Sequence, residues 1–131
     1  MIPKYRMWLK CAELMQRVHA INFYQETAEW IFHDLVNQKD VIEEELFENI
    51  ILMQSTGLHD KNGKEIFEGD ILNHPLQGMR KVYYPFTDRV ASYGLENIEN
   101  GMRNTLQDTH RLYEVIGNIH EHSGLLKENG E

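Results

Sequence analysis

Cysteine is almost absent from this 131-residue chain, in which Cys11 stands alone. A single thiol forms neither an internal disulfide nor a cysteine-rich zinc site, which fits a reducing cytoplasm. Long apolar runs are missing as well. No stretch approaches the roughly 18 apolar residues that a spanning helix needs, and Met1-Ile2-Pro3-Lys4-Tyr5-Arg6 lacks the continuous apolar core of an export signal. Membrane insertion and export are therefore not expected. Basic charge is scarce: 13 Lys and Arg stand against 21 Asp and Glu, for a formal charge of -8. That balance repels polyphosphate at long range, so duplex DNA is not an expected partner. Catalytic templates are missing too. The chain holds no Gly-x-Ser-x-Gly elbow, no Gly-Lys-Ser/Thr phosphate loop, no His-Glu-x-x-His helix and no dinucleotide fingerprint. Cys11 has seven histidines as formal partners but no nucleophile motif around it, and a buried structural thiol is the expectation. Neither an enzyme nor a bound cofactor is expected.

Hydrophobic residues make up 41% of the chain, enough for a real core in one domain or in a small barrel with an appended subregion. The most informative run extends from Leu52 to Leu72. Asp60-Lys61-Asn62-Gly63 reads as a turn, because Asp and Asn bond their own backbone and Gly63 accepts positive φ without steric cost. Lys64-Glu65-Ile66-Phe67 is then a short extended stretch. Glu68-Gly69-Asp70 is a second reversal before the apolar pair Ile71-Leu72, with Asp70 expected to bond turn amides. Short strands with a glycine at each corner describe a meander that bends readily into a curved sheet.

This run, with Lys4-Tyr5-Arg6-Met7-Trp8 near the start and Tyr113-Glu114-Val115-Ile116-Gly117-Asn118-Ile119-His120-Glu121 and Leu125-Leu126 near the end, resembles the YopX-like family of phage and prophage proteins. The resemblance spans nearly the whole chain. It implies a mainly β fold with an SH3-like small barrel, phage origin, a bacterial host cytoplasm and no established activity. It supplies no catalytic or binding residues to carry over.

Pattern and resemblance conflict in the first half. Trp8, Cys11, Ala12, Met15 and Val18 recur at three- and four-residue steps, as in an amphipathic helix over residues 8 to 19. The resemblance implies two strands instead, Lys4 to Trp8 and Leu14 to Ile21, although Leu9-Lys10-Cys11-Ala12 lacks the Asp, Asn or Gly of a tight turn. Residues 28 to 35 read equally as helix or as buried strand. Asp40, followed by Glu43-Glu44-Glu45, predicts a short helix around residues 43 to 49, with a strand leaving it from Asn49 to Gln54. Further strands are expected at Lys81 to Phe86, ended or placed at an edge by Pro85, and at Arg89 to Tyr93. Leu95 to Gln107 reads as a mobile loop, and Arg111 to His120 as a long strand with a bulge at Gly117. The expected division is residues 1–51 as an N-terminal β-rich subregion with one or two short helices, 52–126 as the barrel, and 127–131 as a frayed tail.

Three constellations bear on function. His120-Glu121-His122 has metal-ligand spacing with only His110 or Glu114 near in sequence, and solvent-facing histidines are the plainer reading. Glu43-Glu44-Glu45 with Glu48 lacks the spaced Asp/Asn loop of a calcium site, so a solvated face is expected and no metal is assigned. Arg80, Lys81, Tyr83, Tyr84, Phe86, Arg89 and Tyr93 interleave cations and aromatics. On a barrel surface such a strip stacks bases and pairs phosphates, whereas in a core the aromatics fill space and the cations merely solubilise the rim. The expectation is a non-catalytic protein-interaction module that forms a homo-oligomer. The alternative is an accessory protein that binds single-stranded nucleic acid through Arg80, Lys81, Tyr83, Tyr84, Phe86 and Arg89.

Overall fold

A computed structural model describes residues 4–124, and Leu125-Leu126 and the expected tail lie outside the described residues. The chain divides into two compact units, one up to Gln54 and one from Ser55 onward. Both are built from antiparallel strands, so the mainly β expectation holds.

The first unit contains β1 (Tyr5–Leu9), β2 (Leu14–Arg17), β3 (Ala20–Asn22), β4 (Thr27–Asp34) and β5 (Lys39–Leu46), then a 3-10 turn at Phe47–Asn49 and the start of β6 (Ile50–His59). Strand β1 lies between β2 and β6, while β3, β4 and β5 form a separate meander. Met7, Leu9, Ala28 and Ile50 make the core, with Val18, Trp30, Phe47 and Leu52 packed on it. The helix over residues 8 to 19 is not formed. Met7 and Leu9 point inward at a period of two, and the chain reverses at Lys10 to Glu13. Glu13 takes the left-handed φ of 53° there and donates its N–H to the Leu9 carbonyl at 2.8 Å. This longer reversal explains how a turn forms without Asp, Asn or Gly. Cys11 lies on it and is exposed, which corrects the expected buried thiol.

Residues 28 to 34 resolve as strand, with Leu35 already in the turn. The helix expected around residues 43 to 49 is a strand down to Leu46, paired with β4 over the full length from Thr27↔Leu46 to Asp34↔Lys39. Asp40 caps nothing: its Oδ1 lies 2.8 Å from His33 Nδ1 across the hairpin. Asp34 makes the local turn instead, accepting from Val36 N–H at 2.9 Å and from Asn37 Nδ2 at 2.7 Å.

In the second unit, the end of β6 pairs with β7 (Glu65–Phe67). A curled half-barrel sheet follows, built from β8 (Asp70–His74), β9 (Gly78–Tyr83), β10 (Gly94–Asn97), β11 (Arg103–Thr105) and β12 (Glu114–Asn118), with the one-turn helix α1 (Leu106–Thr109) after β11. The strand order is β11-β10-β9-β8-β12. Ile66, Leu72, Val82, Leu95, Leu106 and Tyr113 form its core. The turns at Asp60 to Gly63 and Glu68 to Asp70 stand where expected, with Gly63 at φ 82° and Gly69 at φ 88°. Asp70 Oδ2 accepts the Phe67 N–H at 2.8 Å. The register shift between Val115 and Gly117 is the anticipated bulge, though the strand is shorter than Arg111 to His120.

Two expectations fail in this unit. Arg89 to Tyr93 is not a strand, since Thr87 Oγ1 bonds the Arg89 and Val90 amides in a tight turn with a lone bridge at Thr87↔Val90. Leu95 to Gln107 is a hairpin and a helix, not a loop. Asn97 Oδ1 accepts from the Glu99 and Asn100 amides at 2.8 and 3.1 Å, and Gly101 at φ 73° completes the reversal. The asparagines that suggested mobility are the groups that fix the turn.

Candidate functional site

The basic and aromatic strip splits at β9, because successive strand residues face opposite sides. Arg80 and Val82 point inward, and Arg80 is only 7% exposed. Lys81 faces the other way and pairs with Glu96 at 3.0 Å, while Arg103 binds Glu96 at 3.1 Å and stacks 5.1 Å from the Tyr83 ring centroid. Burial raises the Glu96 pKa, but hydrogen bonds from Lys81 and Arg103 outweigh it and hold the carboxyl below its usual range. Tyr83 donates its hydroxyl to the Phe86 carbonyl at 3.0 Å, and Phe86 is half-buried. Tyr84 rests on Tyr93, ring centroids 5.0 Å apart, and Arg89 is exposed. The six residues therefore do not form one cationic surface: Arg80 is internal, Lys81 is neutralised, and Tyr84 with Arg89 face solvent.

Arg80 instead lines a cavity of about 350 Å³ together with His74, Gln77, Met102, Arg103, Asn104, Thr109, Leu112 and Tyr113. Its Nη1 donates to Asn104 Oδ1 at 2.5 Å and its Nη2 to Gln77 Oε1 at 3.4 Å. Its Nε is buried without a partner. Burial pushes the Tyr113 phenol up, with the Arg80 charge and a hydrogen bond to Arg80 opposing. His74 Nδ1 accepts the Leu76 and Gln77 amides at 3.0 Å, which places the ring proton on Nε2. Sequence reasoning set Arg80 on the outside, yet its alternation with the apolar Val82 was the signal for an inward side chain.

A second cavity, of about 450 Å³, is bordered by His59, Asp60, Lys61, His110 and Arg111. Its acid and His110 are already committed. Asp60 Oδ1 accepts the Asn62 and Lys64 amides, both at 2.8 Å, and Oδ2 accepts the Val115 amide at 2.9 Å. Burial pushes the Asp60 carboxyl up, but these three amides win and lower its pKa. A carboxylate so held is a poor proton acceptor. His110 Nδ1 lies 2.5 Å from the His59 carbonyl oxygen.

The remaining candidates are scattered. His120 and His122 are not on a strand, because the chain turns after Asn118 and His122 Nδ1 accepts the Asn118 amide at 3.1 Å. Glu43, Glu44 and Glu45 lie along β5 with side chains on alternating faces. Among the described residues, no three His, Cys, Asp or Glu side chains group as a metal site, and no helix is long and apolar enough to cross a membrane.

An exposed apolar surface lies on the β4–β5 hairpin, whose first strand covers the residues that read equally as helix or strand. Ile31 and Ile42 sit opposite each other on one face, and Phe32 and Val41 oppose on the other. Ile31, Phe32 and Ile42 are about half exposed, and at the tip Leu35 and Val36 are 80% and 90% exposed. Strand β5 is the outer strand of its sheet over eight residues.

Comparison with known proteins agrees with this fold. The crystal structure of protein EF1440 from Enterococcus faecalis is similar, with a TM-score of 0.64 at 28% identity, over 96% of this chain and 99% of that one. No curated protein matches. The family model described as YopX protein matches residues 4–127, nearly the full length, and the chain belongs to the YopX family.

Proposed function

We propose that this protein is a phage- or prophage-encoded, non-catalytic interaction module of the host cytoplasm, with its second unit an SH3-like small barrel, and that copies of it associate through the β4–β5 hairpin. One observation carries the reading: both faces and the tip of that hairpin present large apolar side chains to solvent. Contiguous exposed apolar surface is uncommon on a monomer and marks a contact region. The outer strand β5 adds a row of unpaired backbone groups that a partner strand satisfies. The non-catalytic part is supported by the chemistry of the second unit, where Asp60, Glu96 and His74 are each occupied by structural hydrogen bonds.

Sedimentation in reductant at micromolar concentration should show a species larger than the monomer. The double variant Phe32→Lys and Ile42→Lys should return it to monomer with an unchanged circular dichroism spectrum. A strict monomer at those concentrations would refute self-association. The competing nucleic-acid reading rests on Tyr84 and Arg89, which are exposed, with Tyr84 resting on the partly buried Tyr93. It moves ahead if a labelled single strand binds with submicromolar affinity at physiological salt and loses that affinity on Tyr84→Ala.

A further inference from the structure

The two cations that follow each other at the centre of β9 are treated differently by the fold. On one face Lys81 shares the Glu96 carboxylate with Arg103, so that charge is matched locally. On the other face Arg80 is buried, its hydrogen bonds go to the neutral side chains of Asn104, Gln77 and Tyr113, and its Nε has no partner. No carboxylate pairs with it among the described residues. A buried guanidinium without a counter-charge is costly, and the cost is relieved by an anion that reaches it. The cavity beside it holds about 350 Å³, within the range of small-molecule sites, and Met102, Leu112 and Tyr113 supply apolar wall.

We infer that this cavity binds a small organic acid, with the carboxylate on the Arg80 guanidinium and an apolar body against Met102, Leu112 and Tyr113. The planar fork of a guanidinium matches a carboxylate in shape as well as charge. A phosphate dianion fits less well. It needs a second free cation, and Arg103, the other cation on the wall, is already held by Glu96. The site shares no residue with the hairpin and does not depend on self-association.

The test uses the full chain and three probes followed by NMR: phenylacetate, its neutral analogue phenylacetamide, and inorganic phosphate. Phenylacetate should bind saturably at one site per chain, shifting the Arg80 Nε–H, Asn104 and Tyr113 signals. Phenylacetamide and phosphate should bind at least about tenfold more weakly. Two variants keep the test independent of folding failure. Arg80→Met removes the buried charge at similar volume and should keep or raise the melting temperature while abolishing phenylacetate binding. Asn104→Asp places a carboxylate on Nη1 and should likewise raise the melting temperature while competing the acid out. Equal binding of acid and amide, shifts confined to other residues, no saturable shift at millimolar phenylacetate, or unchanged binding in a folded Asn104→Asp protein would each overturn the inference.

Discussion

Asp60 shows how a side chain that resembles a catalytic acid becomes a structural one. Its two oxygens take three backbone amides, two from its own turn and one from Val115 in β12. Asp60→Asn keeps the shape but turns an N–H toward a donor, so about 2 kcal/mol of stability should be lost, measured as a lower denaturant midpoint. The pH dependence follows from the lowered carboxyl pKa. A folded-state value below the unfolded one gives stability that is present above the unfolded pKa, about 3.9, and is lost as pH falls through the folded value. The wild type should therefore lose stability more steeply than Asp60→Asn below about pH 4. Gly63, three residues on, has open space where a Cβ would stand but a φ of 82°. Gly63→Val should cost about 1 kcal/mol or more from backbone strain alone. Both residues were legible in the sequence because turn chemistry is local. Arg80 was not, since only the register of β9 shows which side of the sheet it enters.

At the level of elements, local patterns misled wherever a distant partner decided the outcome. The acidic run after Asp40 satisfies every helix-start rule, yet it pairs with β4 over its whole length, and that ladder outweighs a weak local preference. Residues 8 to 19 carry a helical period, but the buried pair Met7 and Leu9 sets the period of two that the sheet uses. Asparagines at residues 97, 100 and 104 signalled a loop, whereas Asn97 closes a hairpin. The contact between β9 and β10 offers a test at this scale. A Cβ at Gly94 would lie 2.5 Å from the Tyr83 ring, which is itself held by the Phe86 carbonyl and covered by Arg103. Gly94→Ala should cost about 1–3 kcal/mol through overpacking, and combining it with Tyr83→Ala should recover part of that loss in a double-mutant cycle.

Across the whole molecule, every strand pairing among the described residues is antiparallel, and each unit combines hairpins with one pairing between distant stretches of chain. In the first unit, β3, β4 and β5 pair in sequence order, while β1 reaches across them to pair with β6. In the second, β8 pairs both with its neighbour β9 and with β12 near the end of the described residues. Closing that pairing also buries Tyr113 and brings the Ile119 amide to the Gly69 carbonyl at 2.9 Å. A chain ended after Leu112 should lose the cooperative unfolding of the second unit, seen as collapsed shift dispersion for Ile66, Leu72 and Leu95. The family resemblance was legible because its central run is a set of turns with few alternatives. The candidate site was not, since it forms where β9, β11 and the segment before β12 converge, and no local pattern records that convergence.

The three amides on Asp60 have one further consequence, in the time domain. Asn62, Lys64 and Val115 share a single acceptor group although Val115 is more than 50 residues further along the chain. None of them can exchange its proton with solvent unless its carboxylate oxygen is released, and Val115 is released only when β12 leaves the turn. The exposed turn amides at Asn62 and Lys64 should therefore exchange with deuterium as slowly as Val115 does. All three should accelerate together in Asp60→Asn, and that shared rate would report the opening of this unit from one short loop.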